Sequence, residues 1–455
     1  KMCSGDVNGD GLQDFFIGGA KDSPGALLVQ RGGSFVKTNE ALFEKDKTSE
    51  DLGSLLFDAD GDRDLDLYVA SGGNEFSSSS SALADRLYFN DGKGNFTKSN
   101  QLLPAGKFES TSCVAAADFD ADGDQDLFVG VRLIPSYYGV PGSSYILQND
   151  GKGNFKNATP AIAPELKNIG MVTDAKWFDA DGDKDFDLAV CGEYMPIQIF
   201  INDGGTLTKS PNHQITKSSG WWNCLEVSDL DGDGDLDLVA GNHGLNSRFK
   251  ASPEEPVTML VNDFDHNGTA EHIVSAFAPA NFGSSGGVDS PSGVGGDAGE
   301  RRSFPLALRH DLVKQLPFLK KKYLYYKDYK NQPVETIFTP EQLTGSVRLA
   351  AEQLQSCVFL NDGKGNFEMR PLPIEAQFAP VYAVLAEDFN GDGKKDLLLG
   401  GNFYRSKPEV GIYDGSYGWL LLGDGKGGFQ AQLPRQSCFF VKGEIRDMIS
   451  LPVKN

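Results

Sequence analysis

Seven nine-residue windows carry oxygen-bearing side chains at positions 1, 3, 5 and 9. The first three sets are Asp6, Asn8, Asp10 and Asp14; Asp58, Asp60, Asp62 and Asp66; and Asp118, Asp120, Asp122 and Asp126. The next two are Asp179, Asp181, Asp183 and Asp187, then Asp229, Asp231, Asp233 and Asp237. The last two are Asp263, Asp265, Asn267 and Glu271, then Asp388, Asn390, Asp392 and Asp396. Such donors converge when a loop curls around a point, and hard Ca²⁺ takes six to eight oxygens from carboxylates, amides and carbonyls. Gly at position 6 in five of the seven windows suits the tight turn. No Cys or His falls on a ligand position, which disfavours zinc and copper. Mg²⁺ asks for stricter octahedral geometry and keeps more of its water, so Ca²⁺ is the expected ion.

An EF-hand opens the same way but needs a Glu at position 12. That position holds Ile17, Val69, Val129, Val190, Ala240, Val274 and Leu399, so the EF-hand is excluded. The bland alternative is a solvated acidic turn. Four windows pack five carboxylates into nine residues, and such a cluster repels itself strongly without a cation. The expected role of the ion is structural, at six regular sites and one atypical site, 263–271.

These windows must be held by the elements around them. Short β-rich runs follow the regular windows: FFIGG, LYVA, LFVG, LAV, LVAG and LLLG. A second element, such as YFNDGKGNF (88–96) or FLNDGKGNF (359–367), reads as strand, Asn-Asp-Gly turn and return strand. The turns start at Gln30, Asn90, Asn149, Asn202, Asn361 and Gly423, with one gap of 159 residues among spacings of 53 to 62. Asn262, 60 residues after Asn202, fills that gap. Each repeat is thus four strands in about 60 residues, the signature of a β-propeller. The expected fold is all-β: a seven-bladed propeller of four-stranded blades with Ca²⁺-binding loops, and a partly helical insertion in blade six. On this count the 263–271 window sits in a hairpin turn, and the 361 hairpin has no acidic loop of its own. Residues 1–455 read as one propeller trimmed at both ends, with 279–356 a non-repeating insertion. The tail 438–450 reads as another innermost strand, pairing with the first blade or opening an eighth.

DVNGDGLQD with FFIGGA, DADGDRDLDLYVASGG and the NDGKGNF hairpins resemble the FG-GAP/VCBS repeats of integrin α-subunit propellers and many secreted bacterial proteins. WWNCLEVSDLDGDGDLDLVAGNHGLN and VNDFDHNGT are most similar to bacterial VCBS proteins of the cartilage acidic protein (ASPIC/UnbV) group. The resemblance spans roughly 1–271 and 357–447. It implies a Ca²⁺-stabilised propeller, and its ligands carry over only to the loop positions named above.

The net charge is −22, with 64 Asp and Glu against 42 Lys and Arg. The seven windows hold 29 of those acids and four bases, so the remaining residues carry +3. This balance argues against nucleic acid as a partner, because phosphate contacts need basic residues in excess. No apolar run reaches the ~18 residues of a membrane span. The one basic stretch, 306–330, either docks an acidic partner, a glycan or a membrane surface, or caps the sixth blade. Pro317 interrupts its amphipathic face and favours the cap. The preceding segment, 279–302, is Gly/Ser-rich and reads as a loop.

Six cysteines lie far apart with no CxxC, and their pairing is not deducible. Ca²⁺ loops of this kind suit millimolar Ca²⁺, so the expected location is extracellular, secreted or on the cell or outer-membrane surface. Loops of several blades converge on a propeller face, and His243 with Trp221 and Trp222 forms the candidate ligand site, although packing between blades is the commoner place for two such indoles. Ser285 in GSSGG lacks a strand–turn–helix setting for a nucleophile. The expected function is a binding or adhesion module for a glycan or protein, with no catalytic residues. The alternative, a polysaccharide-processing enzyme, rests on the resemblance.

Overall fold

The computed structural model describes residues 1–104, 108–211, 215, 218–279, 301–407 and 410–451. The Gly/Ser tract from 280 to 300, with Ser285, lies outside them, as does His213. The described chain forms seven antiparallel sheets, each built on four strands, as expected of an all-β propeller. Four sheets follow the chain order directly: the first (residues 2–38), second (50–98), third (110–157) and sixth (381–432). The fourth (171–209) gains Gly220–Trp221 as a fifth strand, paired with Asp187–Met195.

The fifth sheet departs from the sequence expectation. Its strands are Cys224–Ser228, Asp237–Gly241, Cys357–Asn361 and Phe367–Pro371. The 361 hairpin therefore belongs with the 229–237 loop and is not a blade without one. The sheet built around Asn262 (Val257–Asn262, Glu271–Pro279, Arg301–Pro305 and Val347–Ala351) is inserted between the second and third strands of that fifth sheet. Side-chain pairing decides the assignment, not spacing: the N–H of Asn361 donates to Asp237 Oδ1 at 2.8 Å across 124 residues. The 60-residue step to Asn262 is coincidental.

The first strands of sheets one to six pack side by side in chain order, as blades do around an axis. Segment 438–450 forms no regular strand, but it joins sheet six to sheet one. Ile445 N–H donates to Gly401 O at 2.8 Å, and Met2 N–H donates to Asp447 Oδ2 at 2.6 Å. Between blades lie apolar layers. Phe178, Ile199, Trp222, Leu238 and Phe359 fill the space between sheets four and five, and Leu230, Val358, Leu397 and Leu421 that between five and six.

The inserted sheet carries its own core. Short helices Arg309–Gln315 and Leu319–Lys322 flank Pro317, which cannot continue a helix. Leu312, Leu316, Leu319 and Tyr323 join Ile337 and Phe338 over Leu260, Phe264 and Ile273. Phe264 and Phe338 stack at 4.2 Å. The basic segment thus lays its apolar side on this sheet. All six cysteines are unpaired thiols, four of them buried, and burial pushes Cys113 and Cys224 up to about 12.

Candidate metal centres and the cleft at the other end of the strands

The seven acidic loops share one backbone. Position 4 is left-handed in every loop, from Gly9 (φ 73°) through Ala121 (59°) to His266 (60°). Position 6 is left-handed too, even where it is Arg63 (74°) or Lys184 (77°). Side chains other than Gly tolerate that conformation at a cost, so the loop is over-determined by its hydrogen bonds. The position 1 carboxylate supplies them. Asp58 accepts from the N–H groups of Gly61 (2.8 Å) and Arg63 (3.0 Å), and Asp388 from those of Gly391 (2.7 Å) and Gly393 (2.8 Å). Asp263 accepts from Asn267 and Gly268, both at 2.9 Å, so the atypical loop curls like the others.

Position 9 ties the loop to its own hairpin. Asp66 Oδ2 accepts from Ala59 N–H at 2.9 Å and its Oδ1 from Asn90 N–H at 2.8 Å; Asp187, Asp237 and Asp396 repeat the pattern. The turn asparagine then reaches the preceding sheet. Asn90 Nδ2 donates to Val7 O, Asn149 to Ala59 O, Asn202 to Phe119 O and Asn361 to Ala180 O, at 2.6–2.9 Å. Asn262 donates instead to Gln342 O within the same insertion.

Five loops bring three acidic side chains together, one oxygen from each lying within 4.8 Å of the others. The groups are Asp58/Asp60/Asp62, Asp118/Asp120/Asp122, Asp179/Asp181/Asp187, Asp229/Asp231/Asp237 and Asp263/Asp265/Glu271. Among the described residues the windows 6–14 and 388–396 form no such group; both carry an amide, Asn8 or Asn390, at position 3. The donor sets fit a hard cation in a second respect. Buried oxygens of Asp60, Asp118, Asp120 and Asp231 have no hydrogen-bond partner, nor has Oδ2 of the fully buried Asp126. An unpaired buried carboxylate oxygen is costly, and a bound cation removes that cost. These groups could hold metal ions.

Position 7 was missed in the sequence reading. Asp64, Asp124 and Asp185 each turn an unpartnered oxygen inward. Burial, then the neighbouring carboxylates, pushes each up to about 6. A Cβ on Gly92, Gly151 or Gly363 would meet the carboxylate of Asp64, Asp124 or Asp235, so these acids lie under the hairpin turns. The five-acid windows held the signal, but they were read only as repulsion.

Asp231→Ala removes one of three converging carboxylates from a loop whose left-handed Gly232 and Gly234 and whose hydrogen bonds to Asp229, Asp233 and Asp237 stay in place. Its expected result is one fewer bound Ca²⁺ by calorimetric titration, with the fold kept and Tm lowered by about 3–5 °C, since one site is worth only a few kcal/mol.

The FG-GAP-like repeat model matches residues 6–69, 58–129 and 179–240, each match running from one acidic loop through the next and into the strand that follows it. The chain carries FG-GAP-like repeats. No curated protein matches it. Among solved structures, the Vibrio cholerae biofilm matrix protein Bap1 is 12% identical at TM-score 0.38, covering 99% of this chain and 81% of that one. The exotype rhamnogalacturonan lyase YesX is 12% identical at TM-score 0.39, covering 95% and 64%. BBS1N in complex with ARL6DN is 13% identical at TM-score 0.33, covering 88% of each.

At the strand ends away from the acidic loops, sheets three to six enclose a cleft of about 430 Å³. Sheet three contributes Arg132, sheet four Glu193 and Tyr194, sheet five His243, and sheet six Tyr382 and Phe403. Each stands at the start of a first strand or the end of a second. Trp221 and His243, predicted as ligand residues, meet here edge to face at 4.9 Å, with Phe249 and Tyr413 packed around them. Trp222 does not line the cleft. Alternation along the chain turns its side chain inward, where it is fully buried and its Nε1 donates to Ser218 O at 3.2 Å. Burial lowers His243 to about 4, so its imidazole is neutral near pH 7. His243 Nε2 and Tyr413 Oη have no hydrogen-bond partner, while the Trp221 indole faces the Tyr194 hydroxyl.

Proposed function

We propose that this chain is a calcium-stabilised β-propeller working outside the cytoplasm as a binding or adhesion module, its cleft taking a glycan or protein ligand. Carrying the calcium reading are the unpartnered buried carboxylate oxygens in loops whose acids already converge. Asp and Asn oxygens at positions 1, 3 and 5 hold the ion, joined by position 9 where it converges. The ion's contribution is charge neutralisation and a fixed link between the first two strands of a sheet. Catalysis is not part of this proposal.

Supporting the binding reading, two polar groups beside the cleft, His243 Nε2 and Tyr413 Oη, lack partners although aromatic rings pack tightly about them. Preformed, partly apolar clefts with a few convergent polar groups are the usual form of a ligand site. A second reading, polysaccharide processing, is favoured by one observation: a neutral imidazole with a free Nε2 lies in the same cleft as Glu193. A glycan array read beside a reducing-sugar assay separates the two. Retention without product is the expected outcome. Product that disappears in His243→Ala establishes the enzyme instead.

A further inference from the structure

The charge lining the cleft runs against the net charge of the protein. Among the described residues its one acid, Glu193, is already engaged: Arg132 donates to Oε1 at 2.7 Å and Tyr138 to Oε2 at 3.0 Å. That pair is neutral as a unit. Lys407, on the rim, is held by Asp311 at 3.0 Å. Two further cations line the cleft, Arg248 and Arg405, and neither makes an ion pair among the described residues. Arg248 lies over the Phe249 ring at 5.4 Å. On a chain of net charge −22, an aromatic cleft lined by two guanidinium groups with no ion-pair partner among the described residues, Arg405 feeling only the more distant Glu444, is a local inversion of sign.

Guanidinium is the group best matched to a planar carboxylate or a sulfate, through paired N–H donors. The half-buried rings of Trp221, Phe249 and Tyr413 offer apolar surface beside them. His243 Nε2 and Tyr413 Oη lie buried among those rings without a hydrogen-bond partner, and a small turn of either side chain would offer a directional polar group to a ligand hydroxyl. A molecule satisfying all three features has an apolar ring face, several hydroxyls and a negative charge. We infer that the cleft takes an acidic saccharide, a uronate or sulfated sugar ring, with Arg248 and Arg405 holding its anionic group and the aromatic wall its ring. This inference rests on the proposed binding function and sharpens its ligand class.

The test is calorimetry on the full chain in Ca²⁺ with three probes: a galacturonate tetrasaccharide, a heparin-derived sulfated tetrasaccharide and neutral cellotetraose. One or both acidic probes are expected to bind about tenfold or more tightly than cellotetraose, the difference one charge-assisted hydrogen bond supplies. The stronger acidic probe tells carboxylate from sulfate. Arg248→Ala and Arg405→Ala should each weaken that probe about tenfold and leave cellotetraose unchanged. Both arginines are exposed, so Tm in Ca²⁺ should match the wild type and exclude misfolding as the cause. Added salt should weaken acidic binding only. Cellotetraose binding as tightly as the acidic probes, or arginine variants without effect, overturns the acidic-saccharide inference and leaves glycan binding intact. No heat from any probe overturns the glycan reading as well.

Discussion

Removal of Ca²⁺ is expected to lower Tm by on the order of 15 °C, or to unfold the chain outright at 37 °C. The size follows from counting sites against total stability. A site saturated at one hundred times its Kd adds about 2.7 kcal/mol to the folded state. Five converging acidic groups would together add more than about 10 kcal/mol, comparable with the whole stability of an ordinary domain, about 5–15 kcal/mol. The penalty in the stripped protein adds to this, because buried oxygens such as Asp60 Oδ1 and Asp231 Oδ1 then face one another without a partner. Differential scanning calorimetry in Ca²⁺, then in EGTA, then with Ca²⁺ restored, measures the effect and its reversibility. An unchanged Tm in EGTA sinks the calcium reading.

The second large effect is a reversal of pH dependence. Burial, opposed by backbone N–H donors, pushes Asp66 and Asp187 up to about 7 and Asp237 up to about 6; Asp126 also rises to about 7. In the unfolded chain the same carboxyls titrate near the ordinary value of about 3.9. Between those values the folded, metal-free protein binds more protons than the unfolded one. Its stability from these groups is therefore full at about pH 4 and is lost as pH rises through about 7. With Ca²⁺ bound the sign inverts, because the ion holds the carboxylates ionised and must leave when they protonate. Tm should thus fall from pH 5 to pH 7.5 in metal-stripped protein and rise over the same range in millimolar Ca²⁺. Parallel slopes in the two series would show that these carboxylates do not hold the ion.

The loops and the sheets were legible for one reason: each is specified by residues within about ten positions of one another. Asp58 needs only Gly61 and Arg63 to curl its loop, and a period-two apolar run makes the strand that follows. What the sequence hid was long-range. Nothing local to Asn262 distinguishes it from Asn202. The difference is that Asn202 Nδ2 finds Phe119 O on the preceding sheet, whereas Asn262 finds Gln342 O inside an insertion. The cleft was half legible for a similar reason. His243 and Trp221 stand out as residue types, but Arg248, Arg405 and Tyr413 become its lining only when sheets five and six close side by side. Trp222 misled because adjacent residues in an extended segment face opposite ways.

The turn asparagines give the ring a direction. Asn90, Asn149, Asn202 and Asn361 each clasp the backbone of the loop on the sheet before, never the sheet after. Gly92, Gly151, Gly363 and Gly425 follow suit, their carbonyls being the nearest atoms above Gly9, Gly61, Gly182 and Gly232. At Gly391 and Gly393 in the last loop nothing comes within 4 Å of an added Cβ. Loosening therefore has a place to begin. Once the 388–396 loop lets go, the hairpin of sheet six loses its anchor, then its hold on the 229–237 loop, and so backward through sheets four and three. The propeller is a one-way row of clasps, and any ions its loops hold should be surrendered in order from the uncovered end.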